Sequence, residues 1–544
     1  MRMHDRLTDF SAGSPFFLTL ILSTVLGAIG CGGAGGTPTF SGGGGNNGGD
    51  GGGGGSTQSV LPCTFTAPAS GGNTSGAGVN TQITNQYFGM HLNSTNAPWP
   101  FFPFGSQRMW DAGAAWSQVN TASGVYDWTL MDTWLSEAQE HGVSMLYNLA
   151  RTPTWASSVP TDSSCIDSSS NGPGQCDPPL DLNSDGSGAD DIWIGWVTAV
   201  AQHSQSRKSS GLTGFSYYEI WNEWNTNVFW NPQYATTAQL VRMEQDARCV
   251  VEGPPVGLSC NPNSIFPSGT ALDPTAKIVS PSPVGAHILL NEVAQSLSLY
   301  FQTQVNGNAG SSFSDAIGFH GYVSTSSATS TASVPCPTAE DINTVIADMN
   351  TTLAEFPSLT AGKPLFNTEG GWSKADDEGF TDQDQQAAFL PRYLLLQESA
   401  GISGVYWYAW DSKELASLYN DETGTTTKAA TAYGEVLNWS VGATVSQACS
   451  ASGTVWTCGF MRPGYTGLAV WDASQDCTAS SCPTTTFSVP AGGYIEYRDV
   501  AGDVISLNGA ASVQIGAQPI LLETAPLPLS NKGRRNESSG KVAR

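Results

Sequence analysis

Two short segments of this chain each end an apolar, β-like run on a glutamate. The first is Tyr217-Tyr218-Glu219-Ile220-Trp221-Asn222-Glu223-Trp224-Asn225, and the second is Pro364-Leu365-Phe366-Asn367-Thr368-Glu369-Gly370-Gly371-Trp372. A lone glutamate after a strand is usually solvated or ion-paired. Two of them flanked by Trp and Asn, each just past the C-terminal end of a strand of one barrel, would face each other across a shared mouth. Two carboxylates so placed are what hydrolysis of a glycosidic bond requires, one to protonate the departing oxygen and one to attack.

The elements that must position them are legible as an alternation of short apolar runs with helical patterns, which predicts βαβ units and a parallel sheet. Eight candidate strands fall at 88–92, 107–111, 144–149, 215–221, 277–280, 316–320, 364–368 and 404–408. Helical stretches fall between most of them, for example at 128–141, 191–206, 237–250, 339–356 and 382–400. The expected fold is α/β, a (β/α)8 barrel over residues 59–440, with Glu223 after strand four and Glu369 after strand seven. The first connection, about 94–106, is short and Pro-rich, so its helix is expected to be reduced or missing. Beyond about 440 helical periodicity stops. Runs at 467–471, 486–489, 493–498 and 520–523 predict a small antiparallel β-domain over 441–525, to which 59–84 could add a strand.

With both glutamates placed, the chain resembles the clan A glycoside hydrolases and is most similar to glycoside hydrolase family 39. The resemblance covers about 85–440. It is carried by Asn222-Glu223 and Glu369, with Arg108-Met109-Trp110-Asp111, Trp116-Ser117-Gln118-Val119-Asn120, Gly124-Val125-Tyr126-Asp127-Trp128 and Thr152-Pro153-Thr154-Trp155-Ala156. It implies a retaining, double-displacement enzyme with Glu223 as acid/base and Glu369 as nucleophile. It also implies that Asn222 binds the sugar 2-hydroxyl, that Arg108 keeps Glu369 ionised, and that His320 and Tyr322 line the floor. Tyr322 would donate to the nucleophile, and Trp410, or else Trp407, would stack on the sugar. The plainer alternatives are a satisfied, partly buried His320 and an ion pair of Arg108 with Asp111.

Composition agrees with a carbohydrate partner. Charged residues are 12% of 544, the formal net charge is −25, and there are 17 Trp and 16 Tyr. An acidic, charge-poor surface repels phosphates, so nucleic acid is set aside. Sugars are neutral and can stack on aromatic rings, although most of these rings are core. No cofactor is expected. No metal is expected either, because clustered His or a His-Glu-x-x-His segment is absent. Asp181-Leu182-Asn183-Ser184-Asp185-Gly186-Ser187 opens like a Ca²⁺ loop, but its twelfth position is Ile192; an Asx-rich turn capping the next helix is the alternative. A non-catalytic carbohydrate-binding lipoprotein on a barrel scaffold is the second functional reading, and loss of either glutamate would have favoured it.

Residues 1–31 read as an export signal: Arg2 and Arg6, an apolar stretch at 16–29, then Ala28-Ile29-Gly30-Cys31, similar to a bacterial lipobox. Lipidation at Cys31 would make the membrane a partner through a lipid anchor alone. Residues 32–58, nearly all Gly, Ser, Asn and Thr, predict a flexible tether, and 526–544 a disordered tail. Setting Cys31 aside leaves ten cysteines of eleven, an even number suited to disulfides in an oxidising compartment. Proximity suggests the pairs Cys165 with Cys176, Cys249 with Cys260, Cys449 with Cys458 and Cys477 with Cys482. That leaves Cys63 with Cys336.

Overall fold

The strand segments alternate two kinds of buried residue. In Ser144–Leu149, for instance, Met145, Tyr147 and Leu149 pack outward into the main core, while Leu146 joins a separate small cluster with Tyr217, Val279, Phe366 and Tyr406. Such double-sided burial is the mark of a closed parallel sheet with helices outside. In the computed structural model, which describes residues 63–165, 172–285, 291–323, 336–372, 380–412, 416–478 and 481–527, that is the architecture.

The barrel strands are β1 (Phe88–His91), β2 (Ser106–Met109), β3 (Ser144–Leu149), β4 (Phe215–Ile220), β5 (Lys277–Val279), β6 (Ile317–His320), β7 (Leu365–Gly370) and β8 (Gly404–Trp407). They pair in parallel in the order β5-β4-β3-β2-β1-β8-β7-β6. A parallel bridge from Val279 to Ala316 joins β5 to the start of β6 and closes the circle. The expected (β/α)8 barrel is therefore present, with every strand within a residue or two of its predicted bounds.

Helices α1 (Thr129–His141), α2 (Asp191–Ser209), α3 (Thr237–Val251), α4 (Glu292–Gln302), α5 (Ile342–Glu355), α6 (Gln383–Ala400) and α7 (Lys428–Ser440) follow β2 to β8 in turn. The connection from β1 to β2 has no helix. Phe102 and Phe104 are buried there instead, with Phe102 stacked on Tyr433 of α7. Among the described residues no helix is long and apolar enough to cross a membrane.

Past α7 the chain forms β9 (Thr444–Ser452), β10 (Val455–Arg462), β11 (Tyr465–Asp472), β12 (Thr485–Ser488), β13 (Glu496–Arg498), β14 (Val504–Ser506), β15 (Ser512–Ile515) and β16 (Ile520–Glu523). A seven-stranded antiparallel sheet runs from a short strand at Gly72–Asn73 through β9-β10-β11-β16-β13-β14, and β12 pairs with β15. The N-terminal strand is thus part of this sheet. Trp456, Trp471 and Val445 of the sheet share the main core with the barrel helices. Polar bonds add to the joint: Trp471 Nε1 donates to Glu340, and the Cys449 amide donates to Ser399 Oγ.

All five proximity pairs are disulfides: Cys63–Cys336, Cys165–Cys176, Cys249–Cys260, Cys449–Cys458 and Cys477–Cys482. The export signal, Cys31 and residues 32–58 lie outside the described residues, as does most of the tail.

Candidate active site

Inward-facing residues change character along each strand. One step toward the C-terminal end from the apolar cluster, the barrel interior becomes polar: His91, Arg108, Asn148, Glu219 and Thr368 are all buried. A buried polar layer persists only when its members satisfy one another. Here Arg108 does most of that. Its Nε donates to Glu219 Oε2 at 2.6 Å, its Nη1 to Glu369 Oε2 at 2.7 Å, and its Nη2 to Asn222 Oδ1 at 2.7 Å. Asn148 Nδ2 also donates to Glu219 Oε2 at 2.9 Å, Ser282 Oγ to Glu219 Oε1 at 2.5 Å, and His91 Nε2 to the carbonyl of Thr368 at 2.9 Å.

Strand alternation alone would not aim either of the two outer glutamates at the mouth. Phe366 and Thr368 face inward, so Glu369 would face outward. The pairing of β7 with both neighbours slips between Asn367 and Glu369 or Gly370, and this irregularity turns Glu369 in. After β4 the backbone takes left-handed φ at Trp221 (60°) and again at Glu223 (39°), a region that side chains disfavour. The surroundings hold it there. Asn148 Nδ2 donates to the Trp221 carbonyl at 2.7 Å, Trp221 Nε1 to the Phe229 carbonyl at 2.6 Å, and the Thr226 amide to the Glu223 carbonyl at 2.9 Å. Strain of this kind gathers where a side chain must point somewhere specific.

The result is a close pair. Glu223, His320 and Glu369 each bring one atom within 4.8 Å of the others, and the two glutamates are 6% and 5% exposed. Tyr322 OH donates to Glu369 Oε1 at 2.8 Å, and His320 Nδ1 bonds Glu223 Oε1 at 2.8 Å. The two carboxylates therefore have unequal surroundings: Glu369 meets a guanidinium and a phenol, whereas Glu223 meets an imidazole. Burial, and then Arg108, hold His320 well below its ordinary range, so this ring is neutral and brings no charge.

Burial pushes Glu223 well above the usual carboxylate range, and the neighbouring Glu369 pushes it further. Glu369 is also raised by burial, to about 7, with Arg108 and Tyr322 pulling it back. Arg108 thus depresses Glu369 as expected, but does not keep it in the usual carboxylate range. Arg108 acts in that direction, but taking a carboxylate out of water outweighs it. What survives is the order of the two groups, with the shared proton on Glu223.

Arg108, Asn222, Glu223, His320, Tyr322 and Glu369 converge. Arg108 does not pair with Asp111; that carboxylate instead lies 3.5 Å from Arg151 and accepts from Tyr408 OH at 2.6 Å. Trp410 departs from expectation. It is 1% exposed, its Nε1 donates to the Pro98 carbonyl, and its ring stacks on Tyr419 with Phe102 against its edge. Trp407 is also buried and donates to the Ala416 carbonyl. Neither ring presents a free face to a sugar. The Ca²⁺-like loop resolves as turn and cap: Asp185 accepts from the Ser187 amide and Asp181 from the Ile192 amide at the start of α2. The Arg242 guanidinium donates to the Gly186, Gly188 and Ala189 carbonyls, supplying the positive charge that a cation would have brought.

Sequence reasoning missed Glu219, Asn148, Ser282 and Thr368. The available signal was a carboxylate and an amide inside otherwise apolar strands, where a polar group must find a partner.

No family model matches the chain, and no curated protein matches it. Solved structures similar to it include three glycoside hydrolases. A GH39 β-xylosidase from Caulobacter crescentus is 15% identical, with 85% of this chain and 98% of that one covered and a TM-score of 0.47. A GH30 endoxylanase from Clostridium papyrosolvens C71 is 12% identical, covering 82% and 98%, with a TM-score of 0.47. A Paenibacillus polymyxa xyloglucanase from glycoside hydrolase family 44 is 11% identical, covering 81% and 97%, again at 0.47.

Proposed function

We propose that this chain is a retaining glycoside hydrolase that cleaves O-glycosidic bonds of a plant or microbial oligo- or polysaccharide, with Glu369 as nucleophile and Glu223 as acid/base. One observation carries the assignment: two carboxylates with one oxygen of each within 4.8 Å of the other, one group held by Arg108 and Tyr322 and the other by a neutral histidine. Retention needs carboxyl groups about 5–5.5 Å apart, whereas inversion needs about 6.5–9.5 Å to admit a water. In the first step a Glu369 oxygen bonds the anomeric carbon as the carbon–oxygen bond breaks, and the leaving oxygen takes the Glu223 proton. The ester removes the charge of Glu369, so the pKa of Glu223 falls and Glu223 can deprotonate the attacking water. Asn222 Nδ2, buried and without a hydrogen-bond partner, is a donor available to a sugar hydroxyl.

Azide separates the two roles. With Glu369→Ala no ester forms, and azide entering from the vacated side gives a glycosyl azide of inverted configuration. With Glu223→Ala a dinitrophenyl glycoside still forms the ester, which azide then releases with retained configuration. Swapped products exchange the roles. Wild-type rates in both variants on a natural polysaccharide mean that these residues are not the catalytic pair, whereas no cleavage of any glycoside by the wild type favours the carbohydrate-binding alternative. Substrate identity follows from a panel of nitrophenyl glycosides and polysaccharides.

Export and lipid attachment at Cys31 belong to the same proposal. Their support is the apolar stretch ahead of Cys31 and the five disulfides, which suit an oxidising compartment. Cys31→Ser should release the protein from membranes, and identical soluble fractionation of both forms removes the anchor.

A further inference from the structure

We propose that Glu219, a third carboxylate beneath the pair, is a positioning residue that shares the charge of Arg108 and fixes the plane of its guanidinium, so that Arg108 orients Glu369 without stripping it of basicity. The proposal rests on Glu369 being the nucleophile.

Glu219 is fully buried, and its three hydrogen-bond partners all donate: Arg108 Nε and Asn148 Nδ2 to Oε2, and Ser282 Oγ to Oε1. A carboxylate met by these donors has both oxygens engaged as acceptors. Asn148 comes from β3 and Ser282 from the segment after β5, so Glu219 is gripped from both neighbouring strands. The bond to Nε sets the guanidinium plane. Nη1 is then aimed at Glu369 and Nη2 at Asn222, both at 2.7 Å. A guanidinium fork loses its aim once one tine is free.

The electrostatic consequence runs the same way. Arg108 faces two buried carboxylates, so its charge is divided between them. The groups facing Glu369 are Arg108, Tyr322, His320, Glu223 and Asp111, with Glu219 behind the arginine. Of these Arg108 alone is cationic. An undivided guanidinium would stabilise the ionised nucleophile, lower its pKa and make it a poorer attacking group.

Glu219→Gln tests this directly. The glutamine oxygen can still accept from Arg108 and Asn148 while its amide donates to Ser282, so shape and bonds persist and the charge is lost. The acid limb of the kcat/KM profile should then move to lower pH by roughly one unit. Ester formation from a dinitrophenyl glycoside should slow by roughly tenfold, with KM little changed. An acid limb left in place means Glu219 is only structural. A neutron structure of the wild-type protein near pH 6 decides the matter without any variant. Expected are a bare Glu219, a fully deuterated Arg108 and the deuteron of the pair on Glu223; a deuteron on Glu219 overturns the proposal. That measurement also separates the two claims, because it stands whether or not any glycoside is cleaved.

Discussion

Two pairs of carboxylates lie close together in this molecule. Glu223 and Glu369 form one; Asp162 and Asp177, on the loop stapled by Cys165–Cys176, form the other, again with oxygens within 4.8 Å. In both, burial and a like-charged neighbour drive one member up, Asp177 to about 7. The surroundings differ. Asp162 is held by neutral donors, Asn231 Nδ2 at 2.7 Å and the Ser164 amide at 2.9 Å. Among the described residues neither Asp162 nor Asp177 is ion-paired with an arginine or lysine. The glutamates come from the ends of β4 and β7, are turned inward by an irregular pairing and a left-handed backbone, and have a cation fixed to one of them. Proximity of two carboxylates holds a proton in either place. Directing that proton to one member takes unequal surroundings, which neutral donors on Asp162 supply in one pair and a cation on Glu369 in the other.

The two pairs should differ most when one acid of each is replaced. Glu369→Ala should lower kcat on any glycoside the wild type cleaves by about 10⁴-fold or more, the scale on which loss of a nucleophile acts. Asp177→Asn should leave kcat within about twofold of the wild type, since general acid–base assistance of 10²-fold or more is absent from a structural pair. Comparable losses in the two variants would abolish the distinction. Next in size is Glu223→Ala, expected to cost about 10²–10⁴-fold on substrates with poor leaving groups and much less with dinitrophenolate. A loss independent of leaving group would deny it the acid role.

Arg108→Met removes the asymmetry itself. It leaves Glu219 and Glu369 buried without their common cation, which should destabilise the fold by about 3–5 kcal/mol in urea titrations. It should also move the acid limb upward, opposite to Glu219→Gln. Unchanged urea midpoints would mean the cation is dispensable.

The smallest effect concerns the second pair and pH. The folded pKa of Asp177, about 7, lies above its ordinary 3.8, so the fold binds this proton more tightly than the unfolded chain does. Its contribution is complete below the ordinary value and is lost as pH rises toward 7. Asp177→Asn should therefore raise Tm relative to wild type at pH 8 and leave it unchanged at pH 4. Equal differences at both pH values would show that no shared proton is involved.

The sequence made the barrel readable because each strand is a short run bounded by turn residues. The meeting of Glu223 and Glu369 was readable because strand ends in a barrel converge whatever the loops do. Helices α4 and α7 went unread, although Lys428–Ser440 carries a buried face of Ala, Tyr, Val, Leu and Trp. The long hairpin of β9 and β10 was also missed. Its edge alternates buried and exposed positions unevenly across two register shifts. Trp410 failed as a sugar platform for a different reason: position after strand eight predicts proximity to the mouth, but which neighbours cover a ring is settled by distant segments such as Pro98 and Phe102. Glu219 was hidden because a single charged letter inside an apolar run gives no indication of its partner.

The Cys63–Cys336 bridge spans a sequence separation of 273 and stands at the first described residue. Mechanically, a pull on the chain ahead of Cys63 does not reach β1 along the backbone first. It crosses the sulfurs to Cys336, just before α5, and the intervening stretch, with Arg108, Glu219, Glu223 and His320, is left out of the line of tension. A body hung from its N-terminal side would thus be suspended from the second half of its barrel. A pull between the chain ahead of Cys63 and a segment beyond Cys336 bypasses the site while that bridge is oxidised.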